Sequence, residues 1–325
     1  MADIVLRENQ EVDVLGEVLA HVDAQAMEYV KQSKADNTLR SYQSDWNHFV
    51  QWCNALGLES LPATSKTVAR YLTMQAHEFK TSTLQRRLSA INQKHKQKGF
   101  APISTRDEPL HSVWEGIRRS KGTAQKGKAP AVIDDIRAMV NTLGDELIGI
   151  RDRALLLVGF AGAFRRSELV GLNIEDIEFT REGLIVHLRK SKTDQEGQGR
   201  DIGIPYGSHP ETCPVRALQD WVTTSGIEEG ALFRSVNRHG QLQPGRLSDK
   251  AVALVVKRSA ESAGLDASKY AGHSLRAGLA TSAAMAGVSE RAIMAQTGHK
   301  SVNMVRRYIR QGSLFTENAA ASVGL

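Results

Sequence analysis

The chain has 325 residues, long for one domain and enough for two, each able to bury a core. A hydrophobic share of 41% with 24% charged residues, no apolar run of bilayer-spanning length, and a start, MADIVLRENQEVDVLG, with no apolar leader core point to a cytoplasmic protein without a membrane partner. Forty-two Lys and Arg against 36 Asp and Glu favour polyanionic partners, while two distant cysteines, Cys53 and Cys213, exclude a disulfide framework and a zinc site.

After a tail over residues 1–19, EVLAHVDAQAMEYVKQS predicts a first helix. NTLRSYQSDWNHFVQWCNALG predicts a second. Asn37 or Thr38 caps it, Leu39, Tyr42, Trp46, Phe49, Val50 and Cys53 recur at helical spacing, and Gly57 ends it. A third runs from Ser65 through VARYLTMQAH, a fourth reads TSTLQRRLSAINQKHKQKG, and PLHSVWEGIRRS is a fifth. Residues 20–120 therefore form an all-α bundle with short turns. In the fourth helix Leu84, Leu88 and Ile91 make the buried stripe, and Arg86, Arg87, Lys94, Lys96 and Lys98 charge the remainder. That face is either simply solvated or lies against DNA, with Gln85, Arg86 and Arg87 near a groove and Lys94 among the contacts.

RRSKGTAQKGKAPA is basic, carries two glycines and a proline, and has no acid. It cannot build a core and reads as a linker over residues 121–131, in which Lys121, Lys126 and Lys128 make either a strap that closes on a duplex or a plain tether.

Residues 132–325 are mostly helical with one small antiparallel sheet. IDDIRAMVNTL and LIGIRDRALLLVGFAGAF predict helices, the second apolar enough to be largely buried. IEFTREGLIVHLRKSKTDQEGQGRDIGIP predicts strands that turn at Glu182-Gly183 and again across residues 194–200. CPVRALQDWVTTSG, LSDKAVALVVKRSAESAG and shorter helices follow, and GSLFTENAAASVGL offers a last helix with Leu314, Phe315 and Val323 as apolar faces.

No phosphate-binding GxxxxGK[ST] loop, no HExxH and no dense carboxylate cluster is present, so no metal or cofactor is expected. Phosphate chemistry here requires side-chain cations, and the forked, permanently charged guanidinium suits it. His273 and Arg276 share one helical face just after Gly272, at a helix start that favours an anion. In AGAFRRSELVGL, Arg165 has Glu168 three residues on to orient it, although Arg166 competes and both are possible surface charges. Lys192, or Lys190, sits at a hairpin tip within reach of a reacting oxygen. A phenol is a poor nucleophile until cations surround it, and Arg306, Arg307 and Arg310 crowd Tyr308.

The order Arg, Lys, HxxR, His, Tyr resembles the tyrosine recombinases, or phage integrase family. AFRRSELVGL, LRKSKTDQEGQGRDIGIP, GHSLRAGLATSAAMAGVS and TGHKSVNMVRRYI are similar to that family's motifs, and the helical half is similar to its core-binding, SAM-like domain. The resemblance implies a helical core-binding domain over residues 20–120 and a catalytic domain over 132–325, ending in a helix that docks on a neighbouring subunit. It implies Arg165 rather than Arg166 as the first catalytic arginine, with Glu168 as its acid. Lys192 becomes the general acid, His273 and Arg276 the HxxR pair, His299 the position that His fills in most members, and Tyr308 the nucleophile. The implied activity is site-specific cleavage and rejoining of double-stranded DNA through a 3′-phosphotyrosyl link, by a homotetramer acting on two duplexes at the nucleoid. A type IB topoisomerase, a DNA-binding protein without catalysis, and a basic helical regulator with coincidental motifs are the alternatives.

Overall fold

The computed structural model describes residue 16 and residues 18–29, 36–123, 127–189 and 199–312. The chain divides into two compact units, residues 1–125 and 126–325. Among the described residues no helix is long and apolar enough to cross a membrane.

The first unit is all-α: α1 (residues 18–29), α2 (Asp36–Ala55), α3 (Ser65–Gln75), α4 (Thr81–Gln97) and α5 (Leu110–Lys121). Helix α2 begins at Asp36, so Asn37 and Thr38 lie inside its first turn rather than capping it. Helix α3 is capped by Thr64, whose hydroxyl accepts from the Thr67 amide at 3.1 Å. Trp46, Phe49, Tyr71, Leu72, Leu84, Leu88 and Ile91 share one core, with the Phe49 and Tyr71 rings edge to face at 5.0 Å.

Helix α4 corrects one expectation. Arg87 is not a surface cation but is 6% exposed, enclosed with the core stripe. Its Nη1 donates to Gln75 Oε1 (2.5 Å) and Tyr71 Oη (3.0 Å), its guanidinium lies 4.1 Å from the centroid of the Phe79 ring, and Asp45 stands 3.8 Å away. A cation so occupied cannot reach a DNA backbone. Arg86 remains half exposed, though Asp45 holds it through two hydrogen bonds of 2.7 and 3.1 Å.

The expected linker is also shorter than residues 121–131. Lys121 is the last residue of α5, and the amides of Ala129 and Ala131 donate to the carbonyls of Lys269 and Ser274 at 2.8 and 2.9 Å.

The second unit is built around α7 (Leu147–Ala161), which buries most of its length, with Leu155, Leu156, Leu157 and Val158 in the core and the Arg151–Asp152 ion pair buried near its start. Helices α6 (Ile133–Asn141), α8 (Arg166–Gly171), α9 (Pro214–Ser225), α10 (Asp249–Ser262), α11 (His273–Met285), α12 (Glu290–Thr297) and α13 (Val302–Gly312) complete its described helices. A three-stranded antiparallel sheet runs β1 (Ile177–Phe179), β2 (Gly183–Leu188), β3 (Arg200–Pro205), with Leu184 opposite Ile204 and Val186 opposite Ile202 on its buried face. A second sheet, β4 (Arg234–Val236) with β5 (Leu242–Arg246), was not expected from sequence. Its strands are short and lack an alternating buried face. The turn is made instead by Asn237, whose side-chain oxygen accepts from the amides of His239 (2.9 Å) and Gln241 (3.0 Å).

Candidate active site

Four segments of the second unit meet at one cationic site. The first is the exit of α7. Ala163 adopts the left-handed region at φ 50°, uncommon for a residue with a Cβ, and its carbonyl accepts from Arg276 Nη1 at 2.7 Å. Phe164 is buried, and Arg165 follows as the residue preceding α8. The Arg165 amide donates to Glu168 Oε2 at 2.8 Å, and its guanidinium donates to Glu168 Oε1. One buried carboxylate thus caps the helix and aims the guanidinium. Arg166 points elsewhere, half exposed and 3.7 Å from Asp249.

Helix α11 supplies His273 at its first residue and Arg276 one turn later, the latter 1% exposed. Helix α12 ends at Gly298, and His299 follows, 7% exposed. Helix α13 packs on α11 and α12 through Ala280, Ala284, Ile293 and Val305, which seats Tyr308 at the edge of the site. Its Oη is 3.0 Å from His273 Nε2, and its ring lies 5.9 Å from that of His299, centroid to centroid. Tyr308 is half-buried rather than sealed in the core.

The electrostatics are lopsided. Burial, then the like charge of Arg165, pushes the Arg276 pKa down to about 10, with Glu168 opposing; the group stays protonated at neutral pH. Burial, then Arg276 and Arg165, pushes His299 down to about 4, so its ring is neutral. Its tautomer is fixed by a relay. Thr297 Oγ1 lies 2.7 Å from the Ile293 carbonyl and 2.7 Å from His299 Nδ1. A carbonyl has no proton to give, so the hydroxyl donates to Ile293 and accepts from His299, which puts the imidazole proton on Nδ1. His299 Nε2 can therefore donate to an anion only after taking up a second proton.

Arg200, the first residue of β3, is a member of this cluster that the sequence reading missed. It acts as a neighbouring charge on both Arg276 and His299. Lys192 and its competitor Lys190 lie outside the described residues. Of the expected DNA contacts, Gln85 is exposed and Lys94 lines a groove between α2 and α4 with Arg40, Gln43 and Gln97. The ammonium of Lys121 donates to the Ala76 carbonyl and that of Lys128 to the Ser268 carbonyl at 2.6 Å. Lys126, like the terminal segment with Leu314, Phe315 and Val323, is outside the described residues.

Cationic side chains that converge on a tyrosine, without a P-loop, define a class of phosphoryl-transfer protein, and comparison with known proteins gives the family. Residues 132–313 match the Phage integrase family, and residues 27–97 match the phage integrase N-terminal SAM-like domain. An integrase/recombinase xerD homolog of Selenomonas ruminantium is 45% identical over 293 residues, 89% of this chain and 86% of that protein. Recombinase Cre of Escherichia phage P1 is 24% identical over 301 residues, 86% of this chain and 85% of its own. The Tn1549 transposon integrase in complex with transposon right end DNA shares the fold, with a TM-score of 0.61 at 16% identity over 88% of this chain and 92% of that one. The chain belongs to the phage integrase family, the tyrosine recombinases, which cleave and rejoin DNA through a phosphotyrosine intermediate. Membership rules out coincidental motifs in a basic helical regulator.

Proposed function

We propose that this recombinase exchanges strands between two copies of a specific DNA site, with Tyr308 as nucleophile. The observation that carries the assignment is the 3.0 Å approach of Tyr308 Oη to His273 Nε2 beside Arg165, Arg276 and His299. The Tyr308 oxygen attacks the scissile phosphorus in line as its proton passes to His273 Nε2. The P–O5′ bond breaks, leaving a 3′-phosphotyrosyl link and a 5′-hydroxyl. Arg165 and Arg276 hold the nonbridging oxygens as charge builds in the transition state. His299 joins them once the incoming phosphate offsets the cations that keep its ring neutral. Lys192 protonates the departing 5′-oxygen, an assignment that rests on the family motif alone.

One phosphoester replaces another, so the break stores the energy of rejoining. A 5′-hydroxyl from a second duplex can then attack the phosphotyrosine, which exchanges strands. Four such sites around two duplexes imply a tetramer on DNA. A lambda integrase tetramer bound to a Holliday junction has this fold at a TM-score of 0.58 and 16% identity over 90% of this chain and 76% of that one, which supports the reading. In the first unit, Gln85 and the groove bearing Arg40 and Lys94 offer the surface for the duplex, and the nucleoid is the place of action. The test uses nicked duplexes tiled across the DNA flanking the coding sequence, run on a denaturing gel. A covalent adduct with wild type and none with Tyr308→Phe is expected. Its absence in wild type favours a DNA-binding protein without catalysis.

A further inference from the structure

Arg200 opens the strand that leaves the β2–β3 hairpin, and its contacts reach the turn that carries His299. Its Nη1 donates to the carbonyls of Ala295 (3.0 Å) and Gln296 (3.2 Å), in the last turn of α12, where a helix attracts a cation. Gly298 ends that helix in the left-handed region at φ 64°, and its bare Cα lies against the guanidinium. A Cβ there would stand 2.7 Å from Arg200 Cζ. Gln296 adds a second tie, its amide donating to the carbonyls of Ala161 (2.8 Å) and Gly203 (3.2 Å). The turn before His299 is thus hung on β3 and on the end of α7.

The tie to two carbonyls requires only a neutral donor, yet the residue is a cation in a cluster of cations. Burial, and the like charge of Arg165, lower the Arg200 pKa, with Glu168 alone opposing. That carboxylate is already bonded to Arg165. The Nη2 groups of Arg200 and Arg276 are both buried without a hydrogen-bond partner among the described residues. Three guanidiniums around one carboxylate leave a positive excess that an arriving phosphate would relieve.

We propose that Arg200 is a positioning residue for strand cleavage: it fixes the turn that presents His299 and, with Arg165 and Arg276, completes the positive field into which the scissile phosphate enters. The inference deepens the Tyr308 reading and rests on it.

The test is single-turnover cleavage of the nicked duplex that traps the wild-type adduct, at saturating protein, beside DNA affinity and NMR titration of His299. Arg200→Gln keeps a donor for the carbonyls and removes the charge. It should cleave about ten- to hundredfold more slowly with DNA affinity within about twofold, and His299 should titrate at higher pH. Arg200→Lys should recover at least about fivefold of the lost rate, because it keeps the charge. Cleavage by Arg200→Gln within about twofold of wild type overturns the inference, as do equal losses in the Gln and Lys variants. If Arg200→Gln does not fold, Arg200→Met takes its place: a rate within about twofold of wild type, or a His299 titration that stays put, overturns the inference, and a slower rate with His299 titrating at higher pH supports it. A wild-type protein that forms no adduct sinks the Tyr308 reading and this one together. Adduct from wild type with undiminished Arg200→Gln sinks this one alone.

Discussion

Both units bury arginine, and Arg87 and Arg276 are handled differently, whereas Arg151 of the second unit is paired with the buried Asp152 carboxylate. Arg87 in the bundle is clothed by Tyr71, Gln75, Phe79 and the Asp45 carboxylate. Arg276 in the catalytic unit has a carbonyl on Nη1, an unpartnered Nη2, and two more guanidiniums nearby. The first is enclosed by tyrosine, amide and ring contacts that serve the fold, although its Nε also lacks a partner among the described residues and Asp45 is shared with Arg86. The second sets several guanidiniums around one carboxylate at a half-buried tyrosine, an arrangement that the proposed anion would complete. A buried cation is therefore read by what balances it, not by its burial.

The largest effect expected is at Tyr308. Tyr308→Phe removes only the attacking oxygen, so covalent adduct should vanish while DNA binding persists in a gel-shift assay. Arg276→Lys keeps charge and most of the stem but loses the fork. Single-turnover cleavage should fall by about 10²- to 10³-fold with DNA affinity little changed. Binding and cleavage lost in parallel would break the contrast, because Arg276 would then serve the fold as Arg87 does.

Arg87→Ala tests the other side. It removes a packed stem and the donor to Tyr71 and Gln75, while Arg86 still pairs Asp45, so unfolding free energy should drop by about 1–3 kcal/mol in denaturant melts. The salt dependence of DNA binding, measured below the melting range, should be unchanged. A flatter salt slope would return Arg87 to the DNA interface.

Acidification sharpens the contrast further. His299 has a folded pKa of about 4 against an ordinary 6.5, so between those values the unfolded chain binds more protons than the folded one. Stability should then fall as pH drops from about 6.5 to 4, by up to about 3 kcal/mol from this group. His299→Gln should flatten that part of the stability–pH curve, followed by thermal melts. Cleavage should run the other way at high pH, since His299 must gain a proton to donate to the phosphate.

The proposed site was legible in sequence so far as Arg165, Glu168, His273, Arg276, His299 and Tyr308 are chemically distinct residues in a fixed order, and these are the members that the structure brings together. Arg200 was not legible. Its partners are main-chain carbonyls 95 and 96 residues away, which have no side-chain signature. Arg87 was legible and was misread. The helical period that buries Leu84, Leu88 and Ile91 also carries Arg87 inward, but a count of basic residues along α4 ignores the face each occupies. The β4–β5 hairpin escaped notice because short, half-exposed strands leave no alternation to read.

The smallest effect expected is at Lys94, and it tests whether affinity and chemistry are divided between the units. Lys94 is half-buried and lines the α2–α4 groove with Arg40, Gln43 and Gln97, with no carboxylate among the groove's lining residues. A lysine that meets a phosphate releases about one counterion, so Lys94→Ala should lower the slope of log affinity against log salt by about one. Arg86→Ala should do less, because Asp45 already holds that guanidinium. Once DNA is saturating, neither variant should slow cleavage, since neither belongs to the unit that holds Tyr308. A Lys94→Ala protein with the wild-type salt slope and slower bound-state cleavage would mean that the bundle acts on the chemistry. The division between a first unit that supplies affinity and a second that supplies chemistry would then fail.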